Sequence, residues 1–170
     1  IKDNLGDQSG ALDDYTKAIE IYPEDPIAFY NRGIIYKNKE QYYKAISDYT
    51  DAIQLNPNYA EAYLNRGTVK NILKNYNGAI EDYSKSINLN PNIIAFNNRG
   101  ISKNNNKDYN AAILDYNKAI KMDSSYADAY ANRGISKFYL KNKDGACEDW
   151  NKAIEFGFDN AKQWVIDQCN

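Results

Sequence analysis

Apolar and polar positions recur along this chain in two alternating blocks. The first reads Ala28-Phe29-Tyr30-Asn31-Arg32-Gly33 and returns at Ala62–Gly67, Ala95–Gly100 and Ala129–Gly134, with glycine-to-glycine steps of 34, 33 and 34 residues. Twelve residues after each glycine comes the second block, Ala45-Ile46-x-Asp48-Tyr49-x-x-Ala52-Ile53, repeated from Ala79, Ala112 and Ala146. A further copy, from Ala11, has no Asn-Arg-Gly before it. Phe29, Arg32, Gly33 and Tyr36 fall at i, i+3, i+4 and i+7, as do Ala45, Asp48, Tyr49 and Ala52, so both blocks are helical. Polar connectors such as residues 38–41 separate them. Tyr22-Pro23, Asn56-Pro57 and Asn90-Pro91 stop the second helix, because proline cannot continue it and restricts the residue before it. The pattern predicts helices over 9–21, 26–38, 42–55, 59–73, 76–89, 92–105, 109–122, 126–140 and 143–156.

A helical hairpin repeated at this period cannot bury its apolar face alone and must stack on its neighbours. The Ala-aromatic-x-x-x-Gly helix, the Ala-x-x-x-aromatic-x-x-Ala helix and the closing proline resemble the tetratricopeptide repeat. That resemblance implies an all-α fold, a right-handed superhelical solenoid of antiparallel helix hairpins. It divides the chain into a partial repeat (1–25), four repeats (26–58, 59–91, 92–125, 126–158) and a capping helix (159–170). In the cap, Ala161, Trp164, Val165 and Gln168 share one face. Residues 1–6 read as the tail of a helix that begins upstream, which leaves an open apolar edge around Ala11, Tyr15 and Ala18.

The chain departs from the family where a leucine usually precedes the glycine. Here that position holds Arg32, Arg66, Arg99 and Arg133, each on the face that meets the partner helix. A guanidinium there is costly unless paired. The second helix carries a recurring carboxylate on its own inner face, at Asp14, Asp48, Asp82, Asp115 and Asp149. The expectation is a ladder of partly buried Arg–Asp pairs, within or between repeats. The alternative is that the arginines grip an acidic ligand.

The opposite stripe of each first helix lines the concave groove in the resembling family. There Asn31, Asn65, Asn98 and Asn132 would form a row whose amides can pair with a peptide backbone, or else bridge neighbouring first helices. At about 0.5–1.5 kcal/mol per hydrogen bond, four amides alone give too little affinity. The rest must come from neighbours on the stripe: Tyr30, Ile34 and Lys37; Leu64, Thr68 and Asn71; Asn97, Ile101 and Asn104; Ile135 and Phe138. One subgroup of the family holds acidic chaperone tails with groove lysines and an arginine. Those positions are here Tyr, Leu, Asn, Ala and Asn, so that activity is not expected.

Composition narrows the chemistry. Histidine is absent, which removes the commonest general base and metal ligand. No phosphate loop, nucleophile elbow or metal cluster is visible, so neither a catalytic site nor a cofactor or metal site is expected. With 21 basic and 23 acidic residues and a net charge of −2, the chain lacks the basic field of a nucleic-acid or anionic-membrane binder. Cys147 and Cys169 form no C-x-x-C pattern and suggest no disulfide framework. Cys147 stands where other repeats have isoleucine, so it reads as a small buried apolar residue. The reading is a non-catalytic scaffold that binds an extended peptide or helix of a partner protein, with self-association through the open edge. An alternative is the targeting or oligomerisation region of a larger enzyme or surface protein, and the least favoured is a nucleic-acid-binding helical repeat. No residue pattern sets the compartment, and the cytoplasm is the default.

Overall fold

The computed structural model describes residues 8–169, and among them there are ten helices and no strand. In chain order these are α1 (Gln8–Ile21), α2 (Pro26–Asn38), α3 (Tyr42–Leu55), α4 (Ala60–Ile72), α5 (Tyr76–Leu89), α6 (Ile93–Asn105), α7 (Tyr109–Met122), α8 (Ala127–Tyr139), α9 (Lys143–Glu155) and α10 (Ala161–Cys169). They form two compact units, divided between Asn90 and Pro91. The first contains α1 and the hairpins α2–α3 and α4–α5. The second contains α6–α7, α8–α9 and α10. The all-α architecture of stacked hairpins is the expected one. The reading of residues 1–6 as a helix tail lies outside the described residues.

Local chemistry sets the helix ends. Asp25, Asn75, Asn92, Asp108 and Asn142 cap their helices by accepting a backbone N–H with the side chain, and Pro26 opens α2 where no N–H is needed. Each first helix then ends on a left-handed residue, Glu40, Lys74, Lys107 or Lys141, at φ 58°, 62°, 64° and 65°. That conformation turns the chain at once into the second helix.

Within a hairpin the two helices meet through a glycine and an aromatic ring. Tyr49, Tyr83, Tyr116 and Trp150 are at most 3% exposed, and each lies against the glycine of its own first helix. A Cβ on Gly100 would stand 2.6 Å from the Tyr116 ring, and one on Gly134 2.5 Å from the Trp150 indole. Gly100→Ala is therefore expected to destabilise by about 1–3 kcal/mol, although alanine is the better helix former. Urea unfolding followed by circular dichroism measures it.

The Arg–Asp ladder is present, and every pair lies within one hairpin. Arg32, Arg66, Arg99 and Arg133 each grip Asp48, Asp82, Asp115 and Asp149 through both Nε and Nη2, at 2.6–2.9 Å. The aspartates are 3% exposed. Hydrogen bonding to the carboxylate raises the pKa of Arg32 and Arg133 above the ordinary arginine value. Each guanidinium also lies over the aromatic ring three residues earlier, 5.3–5.7 Å from its centroid. In Arg66 and Arg133 the remaining Nη1 reaches the preceding hairpin, at Thr50 (3.0 Å) and Asn117 (2.6 Å). One side chain thus ties two helices of a repeat and the repeat before it. Asp14, on the copy without an arginine of its own, is exposed.

The C-terminal helix seals its unit. Ala161 is fully buried, and Trp164, Val165 and Cys169 pack with it on Trp150 and Ala153, while Gln168 is exposed. Here one expectation is overturned: Cys147 and Cys169 form a disulfide that joins α9 to α10. Cys169 stands four residues after Val165, hence on the packed face of α10, and packing brings that face to Cys147 across 22 residues of sequence. A closed loop of this length is worth about 3 kcal/mol through the entropy of the unfolded chain. Adding a reductant should therefore speed amide exchange in α10 and leave α2–α5 unchanged. Such bonds are commonest in proteins of oxidising compartments and rare in the cytosol.

Candidate functional site

The first helices turn one stripe into the hairpin and leave the other partly open. In the first unit this open stripe brings together Tyr30, Asn31, Ile34 and Lys37 of α2 with Leu64, Asn65, Thr68 and Asn71 of α4, all of them partly exposed. In the second unit it brings together Asn97, Asn98, Ile101 and Asn104 of α6 with Asn132, Ile135 and Phe138 of α8. All of these are partly exposed except Asn97, which is 4% exposed.

The recurring amides do not all behave alike. Asn65 donates from Nδ2 to the Tyr30 hydroxyl (3.0 Å) and to the Glu61 carbonyl (3.1 Å), and its Oδ1 accepts from Lys37 (3.0 Å). It is therefore a bridge between α2 and α4 with both donors spent. Asn132 donates to the buried Asn97 (3.2 Å), and Ser136 donates to Asn104 (2.7 Å), which joins α8 to α6. Thr68 accepts from Tyr83 and donates to the Leu64 carbonyl. The stripe is thus a floor knitted by side-chain hydrogen bonds.

Burial depresses the Lys37 pKa, and burial followed by the Glu61 charge raises that of Tyr30. Tyr59 packs on Tyr30 at 4.8 Å, and burial with the neighbouring Tyr30 and Glu61 pushes its pKa up to about 12. Among the described residues no group of three or more Cys, Asp or Glu is placed to hold a metal ion, and no helix is long and apolar enough to cross a membrane.

Basic side chains on the second unit's first helices face the other way. Lys103 and Lys137 join Arg99 and Arg133 on Asp115 and Asp149, as Lys70 joins Arg66 on Asp82, at 2.8–2.9 Å. Sequence reasoning missed these second cations, although a lysine four residues after the arginine marks the same helix face in three repeats. In the first repeat that position is Tyr36, and Lys44 lies 5.3 Å from its ring.

A tetratricopeptide-repeat profile matches residues 26–59 and 60–93, and a second TPR profile matches residues 4–40 and 105–141. The chain belongs to the tetratricopeptide-repeat family. Among solved TPR-like structures it is similar to a crystal structure of MamA, at 25% identity and TM-score 0.86 over 92% of each chain. MamA from Desulfovibrio magneticus RS-1, from residue 41 to its end, is 21% identical with TM-score 0.84, covering 89% of this chain and 86% of that one. The first TPR of Spaghetti (RPAP3), bound to the HSP90 peptide SRMEEVD, is 26% identical with TM-score 0.63 over 65% of this chain and 90% of that one. No curated protein sequence matches the chain.

Proposed function

We propose that this chain is a protein-interaction scaffold that receives an extended peptide or a helix of a partner along the open stripes of its first helices. The observation that carries this reading is the apolar content left partly exposed there. Ile34, Leu64, Ile101, Ile135 and Phe138 stay accessible beside a framework whose alanines and tyrosines are sealed. The bridging amides support it, because they hold that floor rigid before a ligand arrives, which lowers the ordering cost of binding. The RPAP3 TPR, solved with a peptide bound, supports it by similarity. The recurring arginines are spent on framework aspartates, so gripping an acidic ligand is not their role.

The test is chemical crosslinking with mass spectrometry of captured partner, comparing wild type with a Leu64→Ser/Ile101→Ser variant. The account expects capture to fall at least tenfold with the helical circular dichroism unchanged. Equal capture by both proteins would remove the reading.

A second reading has its own observation. Ala11, Tyr15 and Ala18 of α1 are partly exposed, whereas their counterparts Ala45, Tyr49 and Ala52 are 0% exposed. That face suits a second copy. Light scattering that shows a monomer across the accessible concentration range would remove it.

A further inference from the structure

We propose that the cleft between α8 and α10 holds a cationic side chain, lysine or arginine, presented by the bound peptide. The inference rests on the groove reading above and names the chemistry of one compartment of it.

The cleft measures about 290 Å³. Phe138 and Tyr139 come from α8, Trp150 from α9 and Trp164 from α10, and Asp167 of α10 is the one ionised group among the described lining residues. The Trp150 ring lies 5.8 Å from Phe138 and 5.7 Å from Trp164, tilted at 40° and 57°, so the rings form an angled wall rather than a closed stack. Tyr139 is braced from behind by parallel stacking on Tyr109 at 5.0 Å, yet remains 57% exposed. An aromatic wall attracts a cation through the negative faces of its rings. Asp167 is exposed, and Gln163 donates to its Oδ1 at 2.8 Å, which orients the carboxylate with its Oδ2 bonded to no other described residue.

Charge decides the class of visitor. The four basic residues of α6 and α8, Arg99, Lys103, Arg133 and Lys137, all sit on Asp115 or Asp149 at the far side of their helices. Among the described residues no lysine or arginine lines the cleft, so an incoming carboxylate would meet Asp167 without a cation beside it. A lysine or arginine matches both parts. Its methylene stem covers the rings and Ile135 while its head reaches the carboxylate.

The chain has two tryptophans, and both line this cleft, so intrinsic fluorescence reports its occupancy directly. Capped peptides Ala-Ala-X-Ala-Ala, with X as arginine, lysine, norleucine or glutamate, are titrated into the intact chain. The expected result is a change in tryptophan emission with arginine and lysine at concentrations at least tenfold lower than with norleucine, and none with glutamate. Asp167→Asn should bring arginine and lysine to within about twofold of norleucine and leave norleucine unaltered. Equal response to norleucine, a response to glutamate, or no response to any peptide overturns the proposal. If the arginine preference is missing while the Leu64→Ser/Ile101→Ser comparison still shows loss of capture, the cation site fails and the groove reading stands. If that comparison also shows no loss, the groove reading fails with it.

Discussion

Replacing Arg32 with alanine is expected to cost about 3–5 kcal/mol, and replacing Arg66 distinctly less. Both changes remove a two-pronged partner from an aspartate that is 3% exposed. A carboxylate so buried cannot regain its water, which is why breaking such a pair is far more damaging than its net contribution to folding. The two sites differ in what remains. Asp82 keeps Lys70 at 2.8 Å, whereas the residue in that position of the first repeat is Tyr36, which brings no charge. Urea unfolding of the two variants, followed by far-UV circular dichroism, compares them. Solenoids can unfold piecewise, so the loss is best read as amide exchange within α2–α3 and α4–α5. Equal and negligible losses would mean that the ladder is ornamental and the arginines are available to ligands.

Trp150→Ala carries the next largest expectation, about 3–5 kcal/mol. The indole is 3% exposed, packs among Ala131, Ala146, Ala153 and Ala161, and touches the rings of Phe138 and Trp164. Small neighbours of this kind cannot move in to fill the space it leaves, so the cavity cost adds to the lost transfer energy. Its Nε1 has no hydrogen-bond partner among the described residues, so Trp150→Phe forfeits only packing and should cost a fraction as much. Removal of the indole should also loosen α10, seen as faster amide exchange there. A variant as stable as wild type would contradict the packing described for the last hairpin.

The repeat made the helices legible, since glycine, aromatic and alanine positions recur with helical spacing and prolines mark the stops. The Arg–Asp pairing was legible for the same reason: two opposite charges cannot both recur on packed faces without meeting. The partners of the amides were not. Asn65 and Asn132 share a sequence slot, yet one meets Tyr30 and Lys37 and the other meets Asn97, because α2 and α6 carry different residues opposite them. The disulfide escaped notice because pairing depends on how α10 docks, and no local spacing encodes that. The cleft at Asp167 was hidden likewise, since it is assembled from three helices.

Photo-crosslinking with a random peptide library tests the central claim most directly. A benzoylphenylalanine is placed at Leu64 or Ile135 on the open stripes, or at Tyr43 or Leu114, which are 81% and 65% exposed on second helices. The account predicts that peptides attach at Leu64 and Ile135 at several times the yield found at Tyr43 and Leu114. Equal yields at all four, or a preference for Tyr43 and Leu114, would contradict it.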